Sequence, residues 1–187
     1  MTYQFKIQIK GIAKPPVWRR VEVPASFTFK RFHDVIQIAF GWEDYHLFQF
    51  SPKGWGSEPA ISIPHEDDWE EVEDAQKIKL KDVFFAEGQK YVYIYDFGDD
   101  WEHQITLEAI SDKGTRKAVC LAGKGACPPE DCRGVWGYED MKRVLAEKPD
   151  SEEAAEWLEW LGLEKGEKWE EVNGFSLEDV NLGLKGV

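Results

Sequence analysis

The sequence predicts an α+β protein: a mostly antiparallel sheet with helices packed on one side, followed by a helical C-terminal third. Two observations lead to this class. Segments in which apolar and polar residues alternate dominate the first two thirds of the chain, and segments with helical spacing dominate the last third. The length of 187 residues suits one core. We therefore expect residues 1–187 to form a single domain.

The N-terminal segment predicts an antiparallel hairpin followed by a helix. Apolar residues occupy every second position over Tyr3–Ile9, which is typical of a strand with one wet face. A proline pair interrupts the alternation and Val17–Val23 resumes it, so we expect two strands joined by a long loop. Thr28 can then cap a helix that Gly41 ends, because apolar residues follow helical spacing between them.

The middle of the chain predicts further strands. Tyr45–Phe50 is one candidate. Tyr91–Tyr95 is rich in β-forming residues and alternation returns over Trp101–Ile110, so these two segments form a hairpin around the turn Asp96–Asp100. We expect Arg116–Ala122 to be the neighbour of that hairpin.

The last third predicts helices. Tyr138–Leu145 carries apolar residues at helical spacing. Asp150 with Glu153 resembles a capping box at the start of a second helix, and Ser176 with Asp179 forms the same pattern before a short final helix.

The charge is strongly negative and unevenly distributed. The formal net charge is -13, and acidic residues concentrate in an expected solvated loop at 64–76 and in a helical part at 150–187. Such a chain is repelled by phosphate backbones, which disfavours direct nucleic-acid binding. The sequence has neither an apolar run of about 18 residues nor an apolar signal segment at its start. We therefore expect a cytoplasmic protein without a membrane span.

Three motifs stand out by their order and spacing. The first joins Trp18-Arg19-Arg20 to the segment Phe32–Phe48, the second is Tyr93–His103, and the third is Ala126–Cys132 with the Gly-Tyr pair that follows it. Together they resemble the plasmid Ri (pRiA4b) open-reading-frame-three-like family, also labelled TnpR-like passenger proteins of insertion elements. The resemblance extends over residues 3–160.

The resemblance implies a cargo protein of mobile elements and no established reaction. The TnpR label points to a resolvase, but a serine resolvase needs a nucleophilic serine backed by arginines near its N-terminus and a basic helix-turn-helix. Here the first serine is Ser26 and the C-terminal third is acidic, so we reject recombinase activity. The chain also departs from the family pattern, because Arg133-Gly134 replaces a glycine pair. This departure puts a close backbone approach at position 133 in doubt.

The acidic turn offers a first candidate metal site. Asp96, Asp99, Asp100, Glu102 and His103 carry oxygen and nitrogen ligands suited to a divalent cation. The same residue types also suit a tight turn whose aspartates cap nearby amides. Alternation places His103 among apolar neighbours, so we favour the turn over the metal site.

The cysteines offer a second candidate. Cys120, Cys127 and Cys132 are three in number, which fits reduced thiols better than disulfides. A structural zinc site would need a fourth ligand such as His103, and the spacing of Cys127 and Cys132 lies at the edge of the usual range. Structural zinc therefore stays an alternative that we do not favour. The other interpretation is a proline-stiffened loop whose thiols pack inward.

Aromatic and basic residues supply candidate recognition surface. Nine tryptophans are more than one small core easily buries, and exposed Trp and Arg are favoured at binding hot spots. The alternative is that the tryptophans fill the core and the arginines pair with carboxylates. The candidate ligand-binding residues are Trp18, Arg19, Arg20, His33, Trp42, His46, Asp96, Asp99, Asp100, Trp101, His103 and Tyr138.

Three functions remain open. The leading hypothesis is a non-catalytic binding module for a protein, peptide or small ligand, with an aromatic cleft near Trp18, Trp42 and the Tyr95–His103 hairpin. The second is a metal-dependent hydrolase or nuclease that uses the Asp96–His103 cluster. The third is an acidic DNA mimic or inhibitor, for which a solubilising acidic surface is the alternative interpretation.

Overall fold

The computed structural model describes residues 1–65 and 71–187. Its strands are β1 (Thr2–Ala13), β2 (Pro16–Pro24), β3 (Phe48–Ser51), β4 (Ile61–Ser62), β5 (Glu73–Asp74), β6 (Lys90–Tyr95), β7 (Trp101–Ser111) and β8 (Val119–Lys124). Its helices are α1 (Phe29–Phe40), α2 (Leu80–Val83), α3 (Gly134–Glu147), α4 (Glu152–Leu161), α5 (Trp169–Val172) and α6 (Leu177–Gly183), followed by a 3₁₀ turn at Leu184–Gly186.

The eight strands form one sheet in the order β5-β4-β3-β6-β7-β1-β2-β8. Every neighbouring pair runs antiparallel except β4 and β5, which pair in parallel. The predicted α+β class, with its mostly antiparallel sheet and helical last third, is therefore confirmed.

One face of the central strands builds the core. Burial alternates along β1, β2 and β7 because successive side chains of a strand point to opposite faces. Helix α1 packs on the buried face, where the ring centroids of Phe32 and Phe5 lie 4.8 Å apart and those of Phe29 and Phe50 lie 5.0 Å apart. The opposite face carries polar side chains and meets solvent.

Helix α1 begins and ends where its sequence places the caps. The Thr28 side chain accepts a hydrogen bond from the Arg31 amide, and Gly41 adopts a φ of 88°, which favours glycine. Because both ends are fixed, the segment that follows Gly41 leaves the helix in a defined direction. This segment carries Trp42 and His46.

Helix α6 covers the edge of the sheet at β8. The Cys120 amide donates to the Asn181 side chain at 2.9 Å, and the Asn181 amide group donates back to the Cys120 carbonyl at 2.9 Å. The carboxamide thus replaces a neighbouring strand at one residue of an exposed edge, a position that folded proteins commonly protect.

Some local expectations are corrected by the structure. The hairpin of β1 and β2 closes through two residues, Lys14 and Pro15, instead of a long loop. Helix α4 is capped by Ser151, which accepts from the Ala154 amide, so Asp150 is not the cap. The short strand β5 occupies part of the expected acidic loop at 64–76, and residues 66–70 of that loop lie outside the described residues.

Across residues 1–65 and 71–187, no helix combines the length and the apolar character needed to cross a bilayer.

Candidate functional site

Three segments from distant parts of the sequence meet beside the end of β6. The Trp42 indole donates to the Pro128 carbonyl at 3.1 Å, and the Glu43 amide donates to a Glu130 carboxylate oxygen at 2.8 Å. The Tyr95 hydroxyl donates to the same carboxylate at 3.1 Å. The segment after α1, the end of β6 and the loop before α3 are therefore joined at one place.

Glycine permits the closest of these approaches. Gly134 has a φ of +67°, and a Cβ atom there would collide with the carbonyl oxygen of Asp99. The turn at 96–100 and the start of α3 can touch only because this side chain is absent. The neighbouring Arg133 has an exposed side chain and also adopts a left-handed φ of 70°. Its backbone thus keeps a conformation that favours glycine, although the residue is arginine.

A carboxylate–imidazole cluster forms at this junction, and we define it as His46, Asp96, Glu130 and Asp131. The His46 Nε2 atom lies 3.1 Å from a carboxylate oxygen of Asp131 and 3.6 Å from one of Asp96 and one of Glu130. Ligand atoms of His46, Asp96 and Asp131 all fall within 4.8 Å of one another. Asp96 and Asp131 each have a φ of 55°, a left-handed conformation that aspartate tolerates better than most residues.

The members of the carboxylate–imidazole cluster differ in exposure and in hydrogen bonding. Asp96 has a side chain only 10% exposed, and its Oδ1 atom accepts from the amides of Gly98 and Asp99. Burial raises the pKa of the Glu130 carboxyl, because the charged form loses hydration. Asp131 is mostly exposed and closes the cluster towards solvent.

An aromatic cleft of about 780 Å³ lies next to the cluster. We define it by its aromatic walls, Phe40, Trp42, Trp160, Trp169 and Phe175, which come from α1, the segment after it, α4, α5 and the segment before α6. The Trp169 indole donates to the Cys127 carbonyl at 2.7 Å, as Trp42 does to the next carbonyl along the chain. Hydrogen bonding therefore fixes the positions of two of the tryptophan walls.

Arg19 lies at the base of the aromatic cleft. It is 2% exposed, and its guanidinium carbon lies 5.0 Å from the ring centroid of Phe40 and 4.5 Å from that of Phe175. Its nitrogens donate to the carbonyls of Ala39, Trp18 and Lys124 at 2.7–3.0 Å. Within the described residues it has no carboxylate partner at ion-pair distance. Burial lowers the pKa of the guanidinium, since the charged form loses hydration.

The remaining predicted ligand-binding residues on β2 lie on the opposite face of the sheet. Arg20 forms a two-point ion pair with Glu108, at 2.5 and 2.9 Å. The same guanidinium lies 5.3 Å from the ring centroid of Trp18, which is half-buried. Trp18 and Arg20 therefore do not reach the aromatic cleft. Arg20 instead pairs with a carboxylate, which was the alternative to a role in recognition.

His33 belongs to a separate polar network inside the protein. Its Nε2 atom lies 2.6 Å from Asp44, whose carboxylate is also 3.2 Å from the Lys30 ammonium, and its Nδ1 atom lies 2.8 Å from the Tyr93 hydroxyl. Burial lowers the pKa of His33, so the neutral ring donates to Asp44 and accepts from Tyr93. Both nitrogens are thus engaged within the protein.

The acidic turn does not bring together the predicted metal ligands. Asp100 accepts from the Trp55 indole at 2.8 Å, and Asp99 contacts Gly134 through its carbonyl. Trp101 and His103 are buried on the core face of β7. Of these residues only Asp96 belongs to a group of three or more potential ligands within the described part of the chain.

The cysteines and Tyr138 pack in the core. Cys120, Cys127 and Cys132 are free and buried, and burial raises the pKa of each thiol. In residues 1–65 and 71–187, no group of three or more close potential ligands includes a cysteine. Tyr138 is 1% exposed beneath the loop that contains Cys127 and Cys132. The predicted set of His103 with the three cysteines is therefore not assembled.

Sequence reasoning missed several residues of this region. Glu130 and Asp131 stand between Cys127 and Cys132 in the third motif and counted there only as spacing. Two adjacent acidic residues inside a distinctive motif could have indicated a functional role. Phe175 and the walls on α4 and α5 gave no comparable signal, because only the packing of the C-terminal helices brings them near Arg19.

Fold and site together define an α+β protein with a single mixed sheet, an aromatic cleft and a carboxylate–imidazole cluster at its rim. The family model described as "Plasmid pRiA4b ORF-3-like protein" matches residues 1–182, so the chain belongs to that family. The match confirms the family resemblance and extends beyond residue 160.

Two similar proteins fit this assignment. The chain is 39% identical over 151 residues to "Uncharacterized protein y4hQ" of Sinorhizobium fredii, covering 80% of this chain and 75% of that protein. It also resembles the crystal structure of the protein of unknown function MM3350 from Methanosarcina mazei Go1. That structure has a TM-score of 0.77 and 35% identity, over 95% of this chain and 96% of the other.

Proposed function

We propose that the protein is a non-catalytic binding module whose aromatic cleft holds a planar apolar group of a peptide, a protein or a small ligand. The supporting observation is the cleft of about 780 Å³ between tryptophan and phenylalanine rings. Ligand sites commonly have volumes of roughly 300–1,000 Å³ and mainly apolar walls. Tryptophan is also among the residues that contribute most to binding energy.

Charge at the mouth of the aromatic cleft favours a cationic neighbour for the planar group. Glu43, Glu130, Asp131 and Asp179 line the cleft, whereas the positive charge of Arg19 is buried at its base. Carboxylates at a rim attract cationic ligands and repel anionic ones. The preferred ligand is therefore a segment in which an aromatic residue is adjacent to Lys or Arg.

Selection of phage-displayed random twelve-residue peptides against the full chain tests the proposal. We expect enrichment of aromatic residues next to Lys or Arg. Synthetic versions of the selected peptides should bind Trp160→Ala at least about tenfold more weakly than the wild type, because Trp160 forms an exposed wall of the cleft. Fluorescence anisotropy of labelled peptides measures the dissociation constants.

Trp136→Ala is the matched control. Trp136 is 85% exposed and lies outside the cleft, so its removal should leave affinity unchanged. Selected peptides that bind Trp160→Ala as tightly as the wild type would contradict the proposal. Equal losses in the two variants would also contradict it, because they would indicate general attraction to exposed tryptophan.

Of the two other hypotheses, the hydrolase loses the histidine that it named, and His46 takes its place beside Asp96 and Asp131. A hydrolase that uses the Asp96–His103 cluster needs His103 beside Asp96, but His103 is buried on the core face of β7. The DNA-mimic hypothesis stays a prediction. Acidic side chains of residues 150–179 are mostly exposed, as they would also be on any solubilising surface.

A further inference from the structure

The carboxylate–imidazole cluster has the donor chemistry of a transition-metal site. It presents one imidazole nitrogen and three carboxylates. Imidazole suits zinc and its first-row neighbours, whereas carboxylates suit both transition metals and harder cations. The ligands come from three segments that are separate in the sequence, so a cation here would link the ends of α1 and β6 to the loop before α3.

The spacing of the donor atoms fits a single ion. In a tetrahedral zinc site with bonds of about 2.0–2.2 Å, neighbouring ligand atoms lie about 3.4 Å apart. The His46 Nε2 atom lies 3.1 Å from the Asp131 oxygen and 3.6 Å from the oxygens of Asp96 and Glu130. Ligand atoms of His46, Asp96 and Asp131 all lie within 4.8 Å of one another, whereas Glu130 is outside this group and borders it as a neighbouring carboxylate.

One buried ligand atom faces the centre of the cluster without a hydrogen bond. The buried Nε2 atom of His46 has no hydrogen-bond partner within the described residues. Asp96 is nine-tenths buried, and the turn amides engage its Oδ1 atom, which leaves Oδ2 facing His46 at 3.6 Å. A buried polar atom without a partner costs free energy, and a bound cation would satisfy His46 Nε2.

The charges around the cluster also favour a bound cation. No Lys or Arg among residues 1–65 and 71–187 lies within ion-pair distance of the three carboxylates of the cluster. The second group of potential ligands, His33, Asp34 and Asp44, differs because Lys30 lies 2.6 Å from Asp34 and 3.2 Å from Asp44. Lys30 already supplies a cation there, whereas no lysine or arginine of the described residues does so at the cluster around His46.

We propose that His46, Asp96 and Asp131 bind one divalent transition-metal cation beside Glu130, with Zn²⁺ and Mn²⁺ as the best-suited ions. The imidazole ligand disfavours Mg²⁺, which prefers oxygen and retains its water. The exposed side of the site, beside Asp131, leaves room for a water molecule or a ligand group on the ion. Asp131 also lines the rim of the aromatic cleft, so zinc binding is measured in the absence of any peptide.

Titration of the tag-free full chain with ZnCl₂ after treatment with EDTA and dialysis tests the proposal. Isothermal titration calorimetry should show one equivalent of zinc per chain, and an equal concentration of MgCl₂ should not displace it. The double variant His46→Gln with Asp131→Asn should bind zinc at least about tenfold more weakly, because two ligand atoms are changed. Asp34→Asn is the matched control and should bind zinc like the wild type.

A second measurement locates the ion without a ligand variant. In ¹⁵N-labelled wild-type protein, substoichiometric Mn²⁺ should selectively broaden the amide resonances of His46, Asp96 and Asp131. Less than half an equivalent of zinc, unchanged affinity in the double variant, or broadening centred on His33 would each overturn the proposal. Trp160→Ala should retain zinc binding, so failure of the proposed peptide site and failure of the metal site are distinguishable.

Discussion

His103 lies at the centre of the core. Its ring centroid is 5.1 Å from those of Phe40 and Tyr93 and 5.2 Å from that of Trp42, and its Nδ1 donates to the Trp101 carbonyl at 2.9 Å. Burial lowers the pKa of His103 to about 3, because the charged imidazole would lose its hydration. The residue is therefore a neutral part of the core at physiological pH, although its position in the second motif resembles that of a ligand.

We expect acid to destabilise the protein from about pH 6.5 downwards. The unfolded chain binds a proton on His103 near pH 6.5, but the folded protein does so only near pH 3, so falling pH favours unfolding across this interval. Near pH 3, the free energy of unfolding should be lower by about 4 kcal/mol than at pH 6.5. Urea denaturation at a series of pH values measures it.

His103→Leu should reduce this dependence on pH. A residual slope should persist from His33, because burial lowers its pKa as well. If the variant and the wild type lose stability equally between pH 6.5 and 4, the dependence does not arise at His103.

At the scale of elements, strand β2 supplies a positive charge that helix α1 lacks. The last turn of α1 contains no basic residue, and its C-terminal carbonyls carry partial negative charge. Arg19 donates to the Ala39 carbonyl at 2.7 Å from across the core. Opposite Arg19 in the sheet, Gly123 leaves space that Phe175 fills, so the same contact helps to hold the segment before α6.

Arg19→Met should lower the free energy of unfolding by about 2–4 kcal/mol, because three carbonyls lose a charged donor. Arg19→Lys keeps the positive charge but lacks the planar guanidinium. Its free energy of unfolding should therefore lie between those of the wild type and Arg19→Met. Guanidinium denaturation followed by circular dichroism gives these values. A fully stable Arg19→Met protein would show that the bonds to α1 contribute little.

At the scale of the whole molecule, the approach of the turn at 96–100 to the start of α3 closes the candidate site. Gly134→Ala should destabilise the protein by about 3 kcal/mol or more, because the added Cβ meets the Asp99 carbonyl and the backbone is left-handed. Thermal denaturation measures the change. Wild-type stability in this variant would contradict the contact.

Arg133→Gly is the control at the neighbouring position, and we expect it not to destabilise the protein. Arg133 already has a φ of 70°, so glycine should leave stability unchanged or raise it by up to about 1 kcal/mol. Glycine adopts this left-handed backbone more readily than arginine does. A large loss in this variant would show that the arginine side chain contributes contacts of its own.

Much of the fold could be predicted because it follows from local patterns. Residues close together in the sequence determine three such features. These are the caps of α1 at Thr28 and Gly41, the alternation along β1 and the hairpin around Asp96–Asp100. The two-residue turn at Lys14 and Pro15 was not predictable, because β1 continues well beyond the alternating segment. The candidate site was only partly visible: His46 and Asp96 were recognised, whereas Glu130 and Asp131 were not.

The sequence alone determined the fold class, the strand faces and the family, since these depend on periodicity and on motifs that are continuous in the chain. Only the tertiary structure decided which ionisable residues meet and which are buried. His103 and Arg19 share alternating faces with apolar residues and become core groups, while His46, Asp96 and Glu130 converge from three segments. Burial and long-range convergence depend on the packing of distant elements, which no local pattern encodes.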